Sequence, residues 1–414
     1  MCSSSLSTSP SERADSCRHP RTRVLPTLTV LALGAWVLGT SELGVAGLLP
    51  VIGADLAVSV GAAGTLVSVY AVAVVVAGPV LTLVLRRAPR RRVLLGALGA
   101  LAVGNAVTAA APAFPLLLAA RAFTGAAAAL YAVTALATAT VLVGPERRGR
   151  AVAVVFGGIT VSGVVGVPAS TLLADAVGWR GVYGGLAALA AAVLTAAALL
   201  TPSAPAPPPA PAPPSGTKAQ LAALGRGRMP LTFVANAAVT AGHYTASTYF
   251  VVLLTRRTDL GPATTALLLL TGGVAATIGN AVGGAGADRR TRRTPPVAAA
   301  SLALCLAVVP VVMARPAMTW LTALVWSAAF GAFSTAAQAD VDRRAGPGAQ
   351  LAGAVNISVF NTGIAAGSAV GGTVLHQAGF TGVHLAGTAL VVTGLVIILI
   401  PEGGSACRND LRSD

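Results

Sequence analysis

The sequence predicts an all-α membrane protein with twelve spanning helices arranged as two six-helix halves of one repeated design. Three observations carry that prediction. Of the 414 residues, 55% are hydrophobic and only 10% charged, against about 25% charged in soluble domains. Long apolar stretches alternate with short arginine-bearing loops, and each is near the roughly 20 residues a helix needs to cross hydrocarbon. Landmarks of the first half also return in the second. Membrane strands would alternate apolar and polar residues over about ten positions. These stretches are continuously apolar, and in lipid only helices or closed barrels satisfy every backbone group.

Residues 1–26 form a tail too polar to hold the apolar core of a cleavable leader. The first span, 27–49, contains Glu42. The second and third, 61–85 and 93–113, flank Arg86, Arg87, Arg90, Arg91 and Arg92. The fourth, 116–142, contains Arg121 and Tyr131. In the fifth, 152–174, Gly166 permits close helix approach and Pro168 removes a backbone hydrogen bond and bends the helix. The sixth, 181–200, completes a first half of residues 27–200. Residues 201–228 are proline-rich at first and predict an extended linker. The second half, 229–400, holds spans at 231–254, 263–286, 296–314, 317–338, 349–374 and 382–400, and a tail of 401–414 follows.

The repeat is read from paired features. Gly166 in the fifth span and Gly178 just after it have the spacing of Gly367 in the eleventh and Gly379 just after it, and arginine-rich loops follow both the second and the eighth spans. A six-plus-six repeat signals a secondary transporter with its site near the midplane, between the halves.

A net charge of +15 invites a nucleic-acid reading, but the placement of the charges argues against one. Nearly all of the basic residues fall in alternate loops and the tails. Only Arg180, Arg256, Arg257 and Arg315 fall in the others. This is the bias of cytoplasmic loops, and it predicts a multi-pass protein of the cell membrane with both termini in the cytoplasm. Cys2, Cys17, Cys305 and Cys407 have no metal-ligand spacing. There is no GxxxxGK[ST] loop, no HExxH and no soluble domain large enough for catalysis. The expectation is a protein that is not an enzyme and needs no cofactor or metal. Its partners are a small-molecule substrate, protons and the bilayer, with no nucleic acid, and it works as a monomer.

Glu42 and Arg121 are the two charges inside the apolar spans. A carboxylate there costs about 3 kcal/mol or more, so intramembrane charges normally pair or work. Counted from the same membrane face, Glu42 lies roughly 10 Å deep and Arg121 roughly 8 Å deep. If their helices face each other, the two can form an ion pair. Removal from water favours the protonated acid, and a nearby guanidinium favours the ionised one. Small changes in distance or hydration can then load and release a proton. The alternative is a static pair that fixes helix packing.

Motifs in the loops and spans resemble those of the major facilitator superfamily, over the full length apart from the tails. Gly284, Asp288, Arg289, Arg292 and Arg293 in GAGADRRTRR resemble its loop motif GxxxDRxxRR. The first-half copy, TLVLRRAPRRR, departs from it, with Thr82, Arg86 and Pro89 in place of glycine, aspartate and glycine. Leu117, Arg121 and Gly125 resemble LxxxRxxxG, and the fifth span resembles the antiporter motif with Val167 in place of one glycine. LGTSELGVAGLLP in the first span is similar to that of twelve-span drug:proton antiporters, nearest to actinobacterial chloramphenicol exporters and then to arabinose-efflux-like proteins. The resemblance implies proton coupling at Glu42 and Arg121, and gating by Asp288, Arg289, Gly284, Gly166 and Pro168. It implies export of a small amphipathic compound such as an antibiotic.

Polar residues that can line the pathway are Tyr131, Asn236, His243, Tyr244, Asn356 and Asn361. A polar residue in lipid can equally hydrogen-bond a neighbouring helix. A sugar, nucleoside or other metabolite transporter and a non-transporting receptor are the competing readings. A sugar pathway calls for more inward Asn, Gln and acidic residues than this chain offers.

Overall fold

The structure, a computed structural model, describes residues 24–85, 88–143, 148–201, 224–225, 227–257, 261–289, 292–346 and 349–401. Arg86, Arg87, most of 201–228 and most of both tails lie outside the described residues, as does the side chain of Asp288. The first half comprises α1 (Val24–Leu43), α2 (Val45–Asp55), α3 (Val60–Val84), α4 (Arg90–Ala110), α5 (Phe114–Val143), α6 (Arg148–Val161), a π turn (Ser162–Gly166) and α7 (Val167–Leu200). The second half comprises α8 (Met229–Ser247), α9 (Phe250–Arg257), α10 (Pro262–Arg289), α11 (Thr294–Val312), α12 (Pro316–Ala345) and α13 (Ala349–Leu399).

Among the described residues, nine helices are long and apolar enough to cross a bilayer. Two of these helices are double, so the set accounts for eleven of the twelve expected spans, and the seventh is the shorter pair α8 and α9. At 1.5 Å per residue, α13 would be roughly 76 Å long and α7 roughly 51 Å, well beyond a hydrocarbon thickness of about 30 Å. Both leave helical geometry at a glycine. Gly178 has φ 70° and ψ 167°, and Gly379 has φ 63° and ψ −164°. That region is essentially closed to residues with a Cβ, so these glycines divide the fifth span from the sixth and the eleventh from the twelfth. The first span is broken at Gly44 and the seventh between Ser247 and Phe250.

The helices pack through small residues. A Cβ on Gly158 would lie 2.2 Å from the Ala32 carbonyl, one on Gly279 2.1 Å from that of Ala328, and one on Gly367 2.2 Å from that of Ala241. Large apolar side chains such as Val76, Val282, Leu304 and Val311 point outward. Lipid tails are as apolar as these side chains, so close backbone approach, and not burial of large groups, holds such bundles together.

Among the described residues, the main contacts between the halves are α3 with α13, α10 with α7 and the π turn, and α2 with α9. They run from the middle of the bundle to the face away from the arginine-rich loops. There the Ser68 hydroxyl donates to the Ala365 carbonyl at 2.9 Å. Gly61 lies against Gly372, and Gly64 leaves room for Tyr249, whose hydroxyl would lie 1.8 Å from an added Cβ. One hydrophobic core joins Leu48, Leu49 and Leu66 of the first half to Tyr249 and Val252 of the second. The face away from the arginines is therefore sealed.

Candidate functional site

Below the seal, a cavity of about 440 Å³ lies between the halves. From the first half, α1, α3 and α5 present Glu42, Tyr70 and Arg121. From the second, α8 presents His243 and Tyr244, α10 presents Asn280, and α12 presents Trp326 and Phe330. Its wall is mostly apolar, with polar groups at a few points, as small-molecule sites are.

Arg121 is 1% exposed. Its Nη1 donates to the Ser41 carbonyl at 2.8 Å and to the Ser41 hydroxyl at 3.3 Å. The Ser41 hydroxyl in turn donates to Asn105 Oδ1 at 2.8 Å. The guanidinium carbon lies 4.5 Å from the centre of the Tyr70 ring and 5.9 Å from that of Tyr183, a cation–π arrangement. Nε and Nη2 of Arg121 and the hydroxyls of Tyr70 and Tyr183 are buried without a protein partner. Such groups call for water or a ligand. Glu42 and Arg121 share the cavity wall, but they form no direct ion pair. The guanidinium is held instead by the residue before the acid, through Ser41. The expected charged neighbourhood is present, with a gap in place of a closed pair.

The opposite wall is an aromatic cluster. His243 stacks on Phe330 with centroids 3.6 Å apart and planes at 2°. It meets Tyr244 and Trp326 edge-on at 5.0 and 5.7 Å. The Trp326 indole N–H donates to His243 Nδ1 at 2.9 Å, which requires that nitrogen to be unprotonated. The ring's orientation is thereby fixed.

Four of the expected pathway residues lie elsewhere. Tyr131 is fully buried in the first-half core, where its hydroxyl donates to the Leu31 carbonyl at 2.8 Å. It occupies the space left by Gly34, whose Cβ would lie 2.1 Å from that hydroxyl. Asn236 donates to Asn356 Oδ1 at 2.9 Å, Asn356 to Gln338 Oε1 at 2.8 Å, and Gln338 to Asp342 at 2.9 Å. These amides tie α8, α13 and α12 together, and none lines the central cavity. Asn361 donates to the Ile357 carbonyl of its own helix at 3.0 Å. Each of the four thus makes a hydrogen bond to a helix, although Asn361 Oδ1 is buried without a partner. His243 and Tyr244 do line the cavity. Tyr70, Trp326 and Phe330 were not singled out from the sequence. The aromatic pair at i and i+4 on α12 was the available signal.

The residues read as gates are at or near helix junctions. Gly166 ends the π turn, packs on Thr40 of α1 and precedes Pro168. Beside it, Gly163 and Val164 touch Gly273 of α10 across the interface. Gly284 is loosely packed, with Thr335 3.6 Å from a built Cβ, and the close approach of α10 to α12 falls on Gly283 instead, 2.4 Å from the Ala332 carbonyl. Arg289 is exposed at the end of α10.

A family model for the Major Facilitator Superfamily matches residues 31–358. The chain belongs to this superfamily. The Escherichia coli K12 "Inner membrane transport protein YdhP" is 31% identical over 374 residues, covering 90% of this chain and 94% of that protein. A "Chloramphenicol resistance protein" of Streptomyces lividans is 33% identical over 373 residues, covering 89% of this chain and 94% of that protein. Among solved structures, a bacterial homologue of the lysosomal transporter Spinster, in an inward-facing and unoccupied conformation, superposes with a TM-score of 0.72 at 16% identity. It covers 92% of this chain and 96% of that one. The superfamily fold accounts for the two halves, the spans that surround the cavity and the multi-pass membrane location. A small molecule held within the membrane is the substrate that membership implies.

Proposed function

We propose that the chain is a proton-coupled exporter of small amphipathic compounds, with the arginine-rich face and both termini in the cytoplasm. On that orientation the contacts of α3 with α13 and of α2 with α9 close the cavity toward the outside. The observation that carries the reading is one cavity with Glu42 and Arg121 on one wall and His243, Tyr244, Trp326 and Phe330 on the other. The aromatic wall suits an amphipathic organic substrate. A phenicol is the first candidate, from the name of the Streptomyces relative. Glu42 is close enough for its proton to depend on the hydration of the gap to Arg121. Drug and proton then compete for one space, and neither the acid nor the guanidinium leaves it during the cycle.

Glu42→Gln keeps the shape and removes the titration. It should insert normally and abolish efflux driven by an imposed pH gradient in proteoliposomes. Wild-type flux from this variant would end the proton-coupling reading. Screening a drug-hypersensitive host against an antibiotic panel, with the variant as control, identifies the cargo. Protection against no organic compound, together with proton-driven flux of a sugar or nucleoside, would reassign the substrate.

A further inference from the structure

Two polar side chains of the second half reach the central cavity with their hydrogen-bonding sense already decided. His243 on α8 accepts the Trp326 indole N–H at Nδ1, at 2.9 Å. An indole N–H only donates. While that bond stands, the imidazole is neutral and its proton is on Nε2. Stacking on Phe330, with planes at 2°, holds the ring in its plane. Nε2 makes no hydrogen bond to the described residues and is not shut off from the cavity. Asn280 on α10 repeats the arrangement. Its Oδ1 accepts from the Thr335 hydroxyl of α12 at 3.0 Å, with the Ser334 hydroxyl, shared with the Gly331 carbonyl, at 3.4 Å. Its Nδ2 likewise makes no hydrogen bond to the described residues and is open to the cavity. Hydroxyls in the lining can turn to donate or to accept, whereas these two nitrogens only donate. Among the described lining residues the carboxylate is that of Glu42, on the opposite wall.

We infer that His243 and Asn280 set the substrate specificity, and that they select compounds which bring hydrogen-bond acceptors to the second half. The class is a neutral aromatic bearing a nitro, carbonyl or sulfonyl group, in preference to an organic cation. A donor covered by a ligand that cannot accept from it bears its full desolvation cost. A site with donors fixed in place therefore rejects an analogue that lacks the acceptor more strongly than one that lacks only bulk. A protonated amine brings further donors, and a quaternary ammonium brings neither donor nor acceptor. The faces of Trp326 and Phe330 take aromatic and cationic groups alike, so the discrimination lies with the two nitrogens. Trp326 and Thr335 act through them, by occupying the atom of each side chain that would otherwise accept. The inference rests on the central cavity being the substrate site, as proposed above, and its test is a binding measurement so that selectivity and export can fail separately.

The test is calorimetric titration of the full chain in lipid nanodiscs at one fixed pH. The probes are four members of one phenicol-like series that differ only in the para substituent of the phenyl ring: nitro, acetyl, isopropyl and trimethylammonio. Nitro and isopropyl are similar in shape and differ in accepting hydrogen bonds. Wild type should bind the nitro and acetyl members about tenfold more tightly than the isopropyl member. N280L and H243F should each shrink that ratio, whereas a merely structural role would weaken all four members alike and leave it unchanged. N280D exchanges the donor for a carboxylate and should tighten binding of the trimethylammonio member while weakening that of the nitro member. N280L and N280D carry the test if H243F, which strips the Trp326 N–H of its acceptor, fails to fold. Equal affinity of wild type for the nitro and isopropyl members, a ratio unchanged in N280L and H243F, or binding of none of the four would overturn the inference. Acceptor selectivity that follows these variants without pH-driven efflux of the nitro member would support it and remove the export reading alone.

Discussion

At the scale of single residues, polar side chains in this bundle have two fates. Tyr131 and Tyr249 are seated over glycines and spend their hydroxyls on backbone carbonyls. Tyr131→Phe should therefore lower thermal stability in detergent modestly, by about 1 kcal/mol, and leave substrate affinity unchanged. A changed KM would return Tyr131 to the pathway. Trp326→Phe removes the donor that orients His243 and should raise KM severalfold while leaving the rate of pH-driven efflux at saturating substrate unchanged. Asp55, beyond the first span, accepts hydrogen bonds from Arg180 and from the Trp179 indole. The Arg180 hydrogen bond holds its carboxyl below the usual carboxylate range. A carboxyl lowered in this way stabilises the fold at neutral pH, and that contribution fades as pH falls through the lowered value. The melting difference between wild type and Asp55→Asn should shrink in acid. A difference independent of pH would show that the pair acts by packing alone.

At the scale of elements, twelve spans were legible because apolar runs and arginine loops report lipid and water directly. Glu42 and Arg121 were legible for the same reason, as charges inside apolar runs. The facing of each polar residue was not. A helix that is apolar on every side carries no periodic signal of which side meets a cavity and which meets a neighbour. Asn236, Asn356 and Tyr131 thus looked like His243 and Tyr244, and only packing separates them. The turn glycines were better marked, since the repeat itself pairs Gly178 with Gly379. Each holds a conformation that costs other residues about 1–3 kcal/mol. Gly178→Ala and Gly379→Ala should each reduce the yield of monodisperse protein and lower its melting point, and the two should add. Normal melting of both would mean that the junctions relax elsewhere.

At the scale of the whole molecule, the two halves meet by backbone contact on one face and surround a cavity below it. Such an interface answers to small changes in bulk. Gly61→Val would push a branched side chain into the Gly372 carbonyl, already 2.7 Å from a built Cβ, and so disfavour the sealed state. A cysteine at Ala63, fully buried in the seal, should then become reactive to a membrane-impermeant maleimide. It should stay protected when Gly61 is intact. Equal protection in both backgrounds would show that the seal tolerates the wedge.

The amide ladder from Asn236 through Asn356 and Gln338 to Asp342 has a mechanical consequence. Every rung donates in the same sense, and the two rungs between helices, Asn236 to Asn356 and Asn356 to Gln338, would break if α8, α13 and α12 sheared past one another. The second half is thus stiffened, while the first carries a π turn and a proline at mid-height of its fifth span. When the gate alternates, bending should concentrate in the amino-terminal half, with the carboxyl-terminal half serving as the fixed jaw of the vice.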